Sequence, residues 1–398
     1  MTFSFCKIGY TYEFSGTFDS YHSFRFTEGG GILVSKNIFN GDISLPVGKG
    51  YFNLSFRGTQ NSFVRPVFQS EIREAYLEYS IGKFEVRVGR QIIPWGKMEK
   101  IRISDIINPQ DLREYISYDY EELKIGVDAL QLNFFSDRMR FDLIWVPFFR
   151  SSRSPSPGSP WDFGYPYIPG SSGERVHVDL PVRSLKNSEL FAKVSFFLKW
   201  ADIGFFGFSS FNDLPEVFLN TEISDNDAEY KLKGEFHKMS GVGFEFTKPV
   251  DFIILKGEMA FVKGFGLKSF GSPGEFIRKD KLQFALGLDI LLRGEFQFSI
   301  QFVKEKAIGI MQGVIPDQLL NMMTFKISKK FFRNKLDVSN FFFIMTNGSE
   351  SYNRTKMCIY LTDELHLIAG TDIFNGNGDV FGKYKKNSQF WIKLSYMF

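Results

Sequence analysis

Between Lys83 and Tyr118 the chain sets Arg90, Lys97, Lys100, Arg102, Asp105, Asp111 and Arg113 around Trp95 and Asn108. Charges of both signs gathered at a narrow point control which solutes pass it, and that is the chemistry these residues suit best. Catalytic chemistry finds less support. The four histidines, His22, His177, His237 and His366, lie near loops, strand ends or turns. No G-x-S-x-G or H-E-x-x-H stretch accompanies them, so no enzyme is expected. Cys6 and Cys358 lack metal-ligand spacing. Asn375-Gly376-Asn377-Gly378-Asp379 alternates oxygen ligands without the distal Glu of a calcium loop, and reads as an Asn-Gly turn between strands. No metal or cofactor is expected.

The elements that position these residues begin with a strand. Phe84, Val86 and Val88 alternate with Lys83, Glu85 and Arg87. Pro94-Trp95-Gly96 breaks it, and Asn108-Pro109-Gln110-Asp111 predicts a helix start, with Asn108 as cap and Pro109 at the first helical position. The excursion over 92–122 is about 30 residues, a length that marks functional or disordered loops. Trp95 and its isoleucines favour order. Two readings stay open. The excursion folds inward as a constriction, or it is a packed cap whose Trp95 and Asn108–Asp111 only hold its shape.

The wider chain decides what frame carries it. Phe occurs 48 times in 398 residues, yet 23% of residues are charged and apolar runs stay short, far below the ~18–20 residues of a membrane helix. Aromatic richness and frequent charge coexist when the two alternate along strands. The net charge of +3 and the lack of an arginine-rich stripe argue against a nucleic-acid partner. Met1-Thr2-Phe3-Ser4-Phe5 is no secretory leader, so the expectation is a leader already removed or a true start upstream.

In order, strands are predicted at Ile8–Phe18, Gly31–Leu45, Tyr51–Arg57, Arg73–Ser80, Lys83–Gln91, Leu123–Phe134, Arg138–Val146, Leu190–Trp200, Asp202–Ser209, Lys231–Phe246 and Asp251–Val262. Lys281–Leu292, Glu295–Val303, Leu320–Ser328, Leu336–Met345, Arg354–Leu361, Leu365–Phe374 and Ser388–Phe398 complete the series. Short turns alternate with long connections, of which 147–189 is a Ser/Pro/Gly-rich loop. The expected fold is an all-β transmembrane antiparallel barrel of about 18 strands (16 possible), one unit over 1–398, with short periplasmic turns and long extracellular loops. A two-layer sandwich would also alternate, but sustained hairpin order without crossovers favours the barrel. The lumen face so inferred carries Lys83, Glu85, Arg87, Arg138, Arg140, Asp142, Lys281, Asp289 and Glu295.

Phe398 closes an amphipathic strand with Tyr396, and resembles the terminal strand that bacterial outer-membrane proteins offer to their insertion machinery. Gly89-Arg90-Gln91…Trp95-Gly96…Asp105…Asn108-Pro109…Asp111 is similar to a stretch in a large proteobacterial family of porin-like outer-membrane barrels, a domain of unknown function near the alginate-export barrels. Gly370…Asp372…Phe374-Asn375-Gly376…Phe381-Gly382 resembles that group's penultimate hairpin. The resemblance implies the outer membrane as location and its lipid bilayer as surroundings. The expected function is a channel passing small solutes or a polymer. The alternatives are a scaffold barrel for a redox or lipoprotein partner and, further off, an outer-membrane hydrolase.

Overall fold

The computed structural model describes all residues except 1–2, 8–9, 28, 64–66, 115–119, 165–174, 225–226, 269–275 and 310–318; residues 3–7, 10–11, 219–224 and 227–230 are described by backbone alone. Eighteen antiparallel strands form a closed ring. They are β1 (Tyr10–Arg25), β2 (Ile32–Val47), β3 (Gly50–Asn61), β4 (Phe68–Ile81), β5 (Phe84–Gln91) and β6 (Val127–Ser136). Next come β7 (Met139–Val146), β8 (Glu189–Phe197), β9 (Asp202–Phe211), β10 (Lys238–Val250), β11 (Ile253–Lys268) and β12 (Phe276–Leu292). The ring ends with β13 (Phe296–Ile308), β14 (Asn321–Phe331), β15 (Leu336–Met345), β16 (Glu350–Tyr360), β17 (Leu365–Gly376) and β18 (Gln389–Met397).

Closure joins β18 to β1, from Thr17 opposite Met397 to Arg25 opposite Gln389. Gly16 and Phe398 then exchange backbone hydrogen bonds of 2.9 and 3.0 Å. A closed ring leaves no edge strand unpaired, the condition for a sheet to cross lipid. A further strand, Phe3–Lys7, pairs with the first residues of β1 beside this seam.

Side-chain alternation builds the two faces. On β18, Phe390, Leu394 and Tyr396 are exposed outward, whereas Gln389, Trp391 and Ser395 are buried inside. Exposed Tyr51, Tyr79, Phe84, Trp200, Phe252 and Tyr396 ring the short-turn end, where amphipathic aromatics suit a membrane interface. Long connections collect at the opposite end.

Several strands run longer than their composition suggests. β1 continues to Arg25 instead of ending at Phe18, and β4 begins at Phe68 instead of Arg73. Asp19 and Ser23 are buried on the inward face, so residues that read as loop are lumen-facing positions of a strand. The expected strand Lys231–Phe246 is two elements. Its first residues belong to a separate hairpin, Glu216–Ser224 with Asp227–Glu235, against which Val176–Asp179 pairs in parallel. The barrel strand starts at Lys238. Parts of the long connections expected at 147–189, 263–280 and 304–319 lie outside the described residues.

Candidate functional site: a loop-filled lumen

The connection 92–126 leaves β5, enters the lumen and crosses it. Its tip meets Lys326 on β14, nine staves from β5 in a ring of eighteen, which is the opposite wall. Ile93, Trp95, Met98, Ile101, Ile103 and Ile107 are all buried, so this is a packed element with an apolar core.

Wall side chains hold its backbone. Glu258 on β11 accepts hydrogen bonds from the amides of Lys97, Met98 (2.9 Å) and Ser104 (3.0 Å), and from the Ser104 hydroxyl (2.9 Å). Gly96 makes this approach possible. Its φ is +100°, and it lies against Glu258, where an added Cβ would sit 3.3 Å from Oε1. On β13, Gln301 accepts from the Glu99 amide (2.9 Å) and donates to the Glu99 carbonyl (3.1 Å). Glu99 in turn receives Lys326 at 2.7 and 2.9 Å. Trp95 packs on Phe191 and Phe206, with the Lys193 ammonium 5.3 Å from its ring centroid. Lys193 also bonds Glu245 at 2.6 Å, and Lys97 lies 3.9 Å from the same carboxylate.

The base of the excursion is tied together by Asn108. Its Oδ1 accepts from the Ile93 amide (2.7 Å) and its Nδ2 donates to the Ile125 carbonyl (2.9 Å), joining the entering and leaving strands of chain. No helix starts here. Gln110 and Asp111 form β-bridges with Lys124 and Arg153, and residues 115–119 lie outside the described part. The polar side chain that suits a helix cap serves the same purpose, satisfying orphan amides, in a loop. Asp105 meets Lys124 at 2.9 Å, and Arg102 meets Asp213 at 3.1 Å.

A second loop covers the mouth. From β7 the chain runs through Arg153, whose amide bonds the Gln110 carbonyl (2.9 Å) and whose guanidinium bonds Asp111 (3.0 Å) and Glu71 (2.7 Å). Arg113 pairs with Asp111 as well. Burial alone would raise the Asp111 pKa, but the Arg113 and Arg153 guanidiniums outweigh it and hold the carboxyl below its ordinary range. The loop then buries Trp161 beside Tyr384, and Pro160 accepts a hydrogen bond from Asn387 (2.6 Å) on the β17–β18 connection. That connection is no tight Asn-Gly turn. It extends from 377 to 388, and Glu350 on β16 accepts from the amides of Val380, Phe381 and Gly382.

Of the residues that the sequence assigns to the lumen, Trp95, Lys97, Lys100, Arg102, Asp105 and Asn108 lie inside it, while Asp111 and Arg113 line its outer rim. Glu85, Arg87, Arg140, Asp142, Lys281 and Asp289 take inward wall positions, mostly in ion pairs: Arg87 with Glu78 and Glu85, Arg140 with Asp142, Lys281 with Glu305, and Asp289 with Lys256. Four assignments need correction. Arg90 shares the outward parity of Val88 and makes a two-pronged pair with Asp128 on β6 (2.8 and 3.1 Å). The strand period puts it outside, because Glu85, Arg87 and Gln91 take the inward positions. Lys83, Arg138 and Glu295 are exposed turn residues below the wall. Glu258, Gln301, Lys326 and Trp161 are missed from sequence. Alternation marks the first three as inward, but nothing local says that a loop 150 or more residues away docks on them.

The family described as "Protein of unknown function (DUF1302)" matches residues 48–334. No curated protein matches in sequence. Among solved structures, OccAB1 of Acinetobacter baumannii is similar (9% identity, TM-score 0.57), the match covering 97% of this chain and 96% of that one. OccK8 (OprE) of Pseudomonas aeruginosa follows at 9% identity and TM-score 0.54, covering 97% and 98%. OmpF of Salmonella typhi, in complex with daunomycin, gives 7% and 0.51 over 100% of both chains. These neighbours are outer-membrane barrels, and at such identities the likeness concerns the fold.

Proposed function

Because this chain belongs to the family described as "Protein of unknown function (DUF1302)", its function has to be read from its own geometry, and we propose an outer-membrane channel for small polar solutes, constricted by the in-folded 92–126 excursion. The observation that carries this reading is the crossing itself. A loop launched from β5 reaches the opposite wall and is held there by wall side chains bonded to its backbone, Glu258 and Gln301. Such an arrangement narrows the lumen, with the loop's apolar side chains packed on wall residues such as Phe191 and Phe206. Solute would pass between the loop tip and the β14–β16 wall, with polar side chains replacing its hydration. No catalytic step or cofactor enters this reading.

Planar-bilayer recording tests it. Replacing 97–104 with a short Gly/Ser linker should enlarge single-channel conductance several-fold in a barrel that keeps its heat-modifiable gel mobility. The second loop over the mouth, with Trp161 buried against Tyr384, favours a second reading, a sealed scaffold barrel. Silence of both the intact protein and the linker variant would remove the channel reading in favour of the scaffold.

A further inference from the structure

On β12 the outward face is apolar: Phe284 and Leu286 alternate with Gln283 and Ala285, which are buried inside. On β15–β17 it is not. Phe341 and Phe343 of β15, Tyr352 and Arg354 of β16 and Asp372 of β17 are buried on the lumen side, so the strand period turns Asn340, Asn353, Thr355 and Thr371 outward. The ladder sets Asn340 opposite Ile327 on one side and Thr355 on the other, with Thr371 beyond. Along β15, Asn340 stands between the outward Val338 and Phe342 and interrupts a stripe that faces lipid. Asn340 and Asn353 exchange amide hydrogen bonds of 3.0 and 3.1 Å, and Asn340 also donates to Thr355 (2.9 Å).

A second polar cluster lies on the far side of β18. With Tyr21, Ser23 and Lys36 buried inside, Ser20, His22, Ser35 and Asn37 point outward. Both ring nitrogens of His22 meet hydroxyls, Ser20 at 3.1 Å and Ser35 at 3.0 Å, and Asn37 donates to Gln60 of β3 (3.0 Å). The stave between the clusters keeps an apolar outer face, with Phe390 and Leu394 exposed. Thr371 is the cross-strand neighbour of Phe390, and His22 and Ser20 are those of Ile392 and Leu394. Both clusters therefore lie within the span of that one apolar stripe.

Hydrocarbon offers an amide or hydroxyl no partner, and a polar group turned toward it carries a desolvation cost that another polar surface relieves. The clusters keep capacity for such a surface. A carboxamide has two donor hydrogens, and among the described residues Asn353 uses one of them and the Thr371 hydroxyl makes no hydrogen bond. We infer that the outer face from β15 across β18 to β3 is the contact between two copies of this chain, the β15–β17 cluster of one against the β1–β3 cluster of the next. Copies inserted the same way up share a symmetry axis along the membrane normal. An axis facing β18 brings one flank of a copy to the opposite flank of its neighbour, in a dimer as in any larger ring. Two unlike hydrogen-bonding flanks about one apolar stave suit that geometry, and this favours a second copy over an unrelated protein. Such association is independent of conduction.

Sedimentation equilibrium of the full chain in mild detergent measures it. Wild type should self-associate, and Asn340→Leu combined with Asn353→Leu should raise the dissociation constant about tenfold, the order that two side-chain hydrogen bonds contribute within a membrane. Heat-modifiable mobility controls for folding. In a cysteine-free background (Cys6→Ser, Cys358→Ser), Thr355→Cys and Asn37→Cys barrels mixed in lipid vesicles should form a disulfide between copies that neither forms alone. A wild type that is monomeric in detergent, with no cross-link in vesicles, overturns the contact. Association that the paired leucine substitution leaves unchanged overturns it as well. Cross-linking by either single-cysteine variant alone refutes the flank-to-flank order, and capture of a different membrane protein in place of a second copy refutes the partner.

Discussion

The Glu258 carboxylate grips Ser104 twice, through its amide at 3.0 Å and its hydroxyl at 2.9 Å, across 154 residues of sequence. With the amides of Lys97 and Met98 on its other oxygen, this one wall residue accepts from four donors of the excursion.

Glu258→Ala leaves three amides and one hydroxyl without that acceptor, a loss of at least about 3 kcal/mol of loop docking. Limited proteolysis within 96–106 should become faster and conductance larger. Glu258→Gln keeps an acceptor oxygen and should lie between. Equal protection of the loop in wild type and Glu258→Ala would refute the latch.

Trp161→Ala should loosen the outer loop while leaving the inner one docked. Truncating a buried Trp costs about 3–5 kcal/mol, and Trp161 is 1% exposed. If the channel is constricted as proposed, the expected record is more frequent opening transitions with an unchanged cutoff for the largest permeating solute, because the inner loop stays docked. A change in that cutoff would show that the two loops move as one.

Arg90→Ala separates two placements of the same residue. At a pore mouth its loss would change ion selectivity. Paired outward with Asp128, it should leave selectivity unaltered and shift stability by no more than about 1 kcal/mol. Reversal potential in a salt gradient and thermal loss of heat-modifiability read the two quantities.

Acid should undo the rim. A carboxylate whose folded pKa is depressed, as that of Asp111 is by Arg113 and Arg153, contributes stability that is present above its unfolded pKa of ~3.9. That stability fades as pH falls through the depressed folded value. Fluctuations at the mouth should thus be low at neutral pH and increase only in strong acid. Asp111→Asn should show them already at neutral pH, with little further change on acidification. Identical pH profiles for the two proteins would exclude Asp111 as the rim's acid-sensitive tie.

The amino-acid order by itself determined the barrel, its strand parity and the two faces of each stave. Alternation with period two is a local property, and it places Phe390, Leu394 and Tyr396 against lipid and Gln389, Trp391 and Ser395 inside. It also singled out 92–122 as ordered, since Trp95 and its isoleucines need a partner to bury against. Strand ends were less legible. Polar lumen positions such as Asp19 and Ser23 have the composition of loops, and only closure of the ring made them wall. Arg90 was drawn to the pore by its motif and placed outside by its parity. What tertiary structure alone decided is the meeting of the excursion with Glu258, Gln301 and Lys326. Those contacts depend on which staves stand opposite one another, and a ring sets that through its full circumference, beyond the reach of any local pattern.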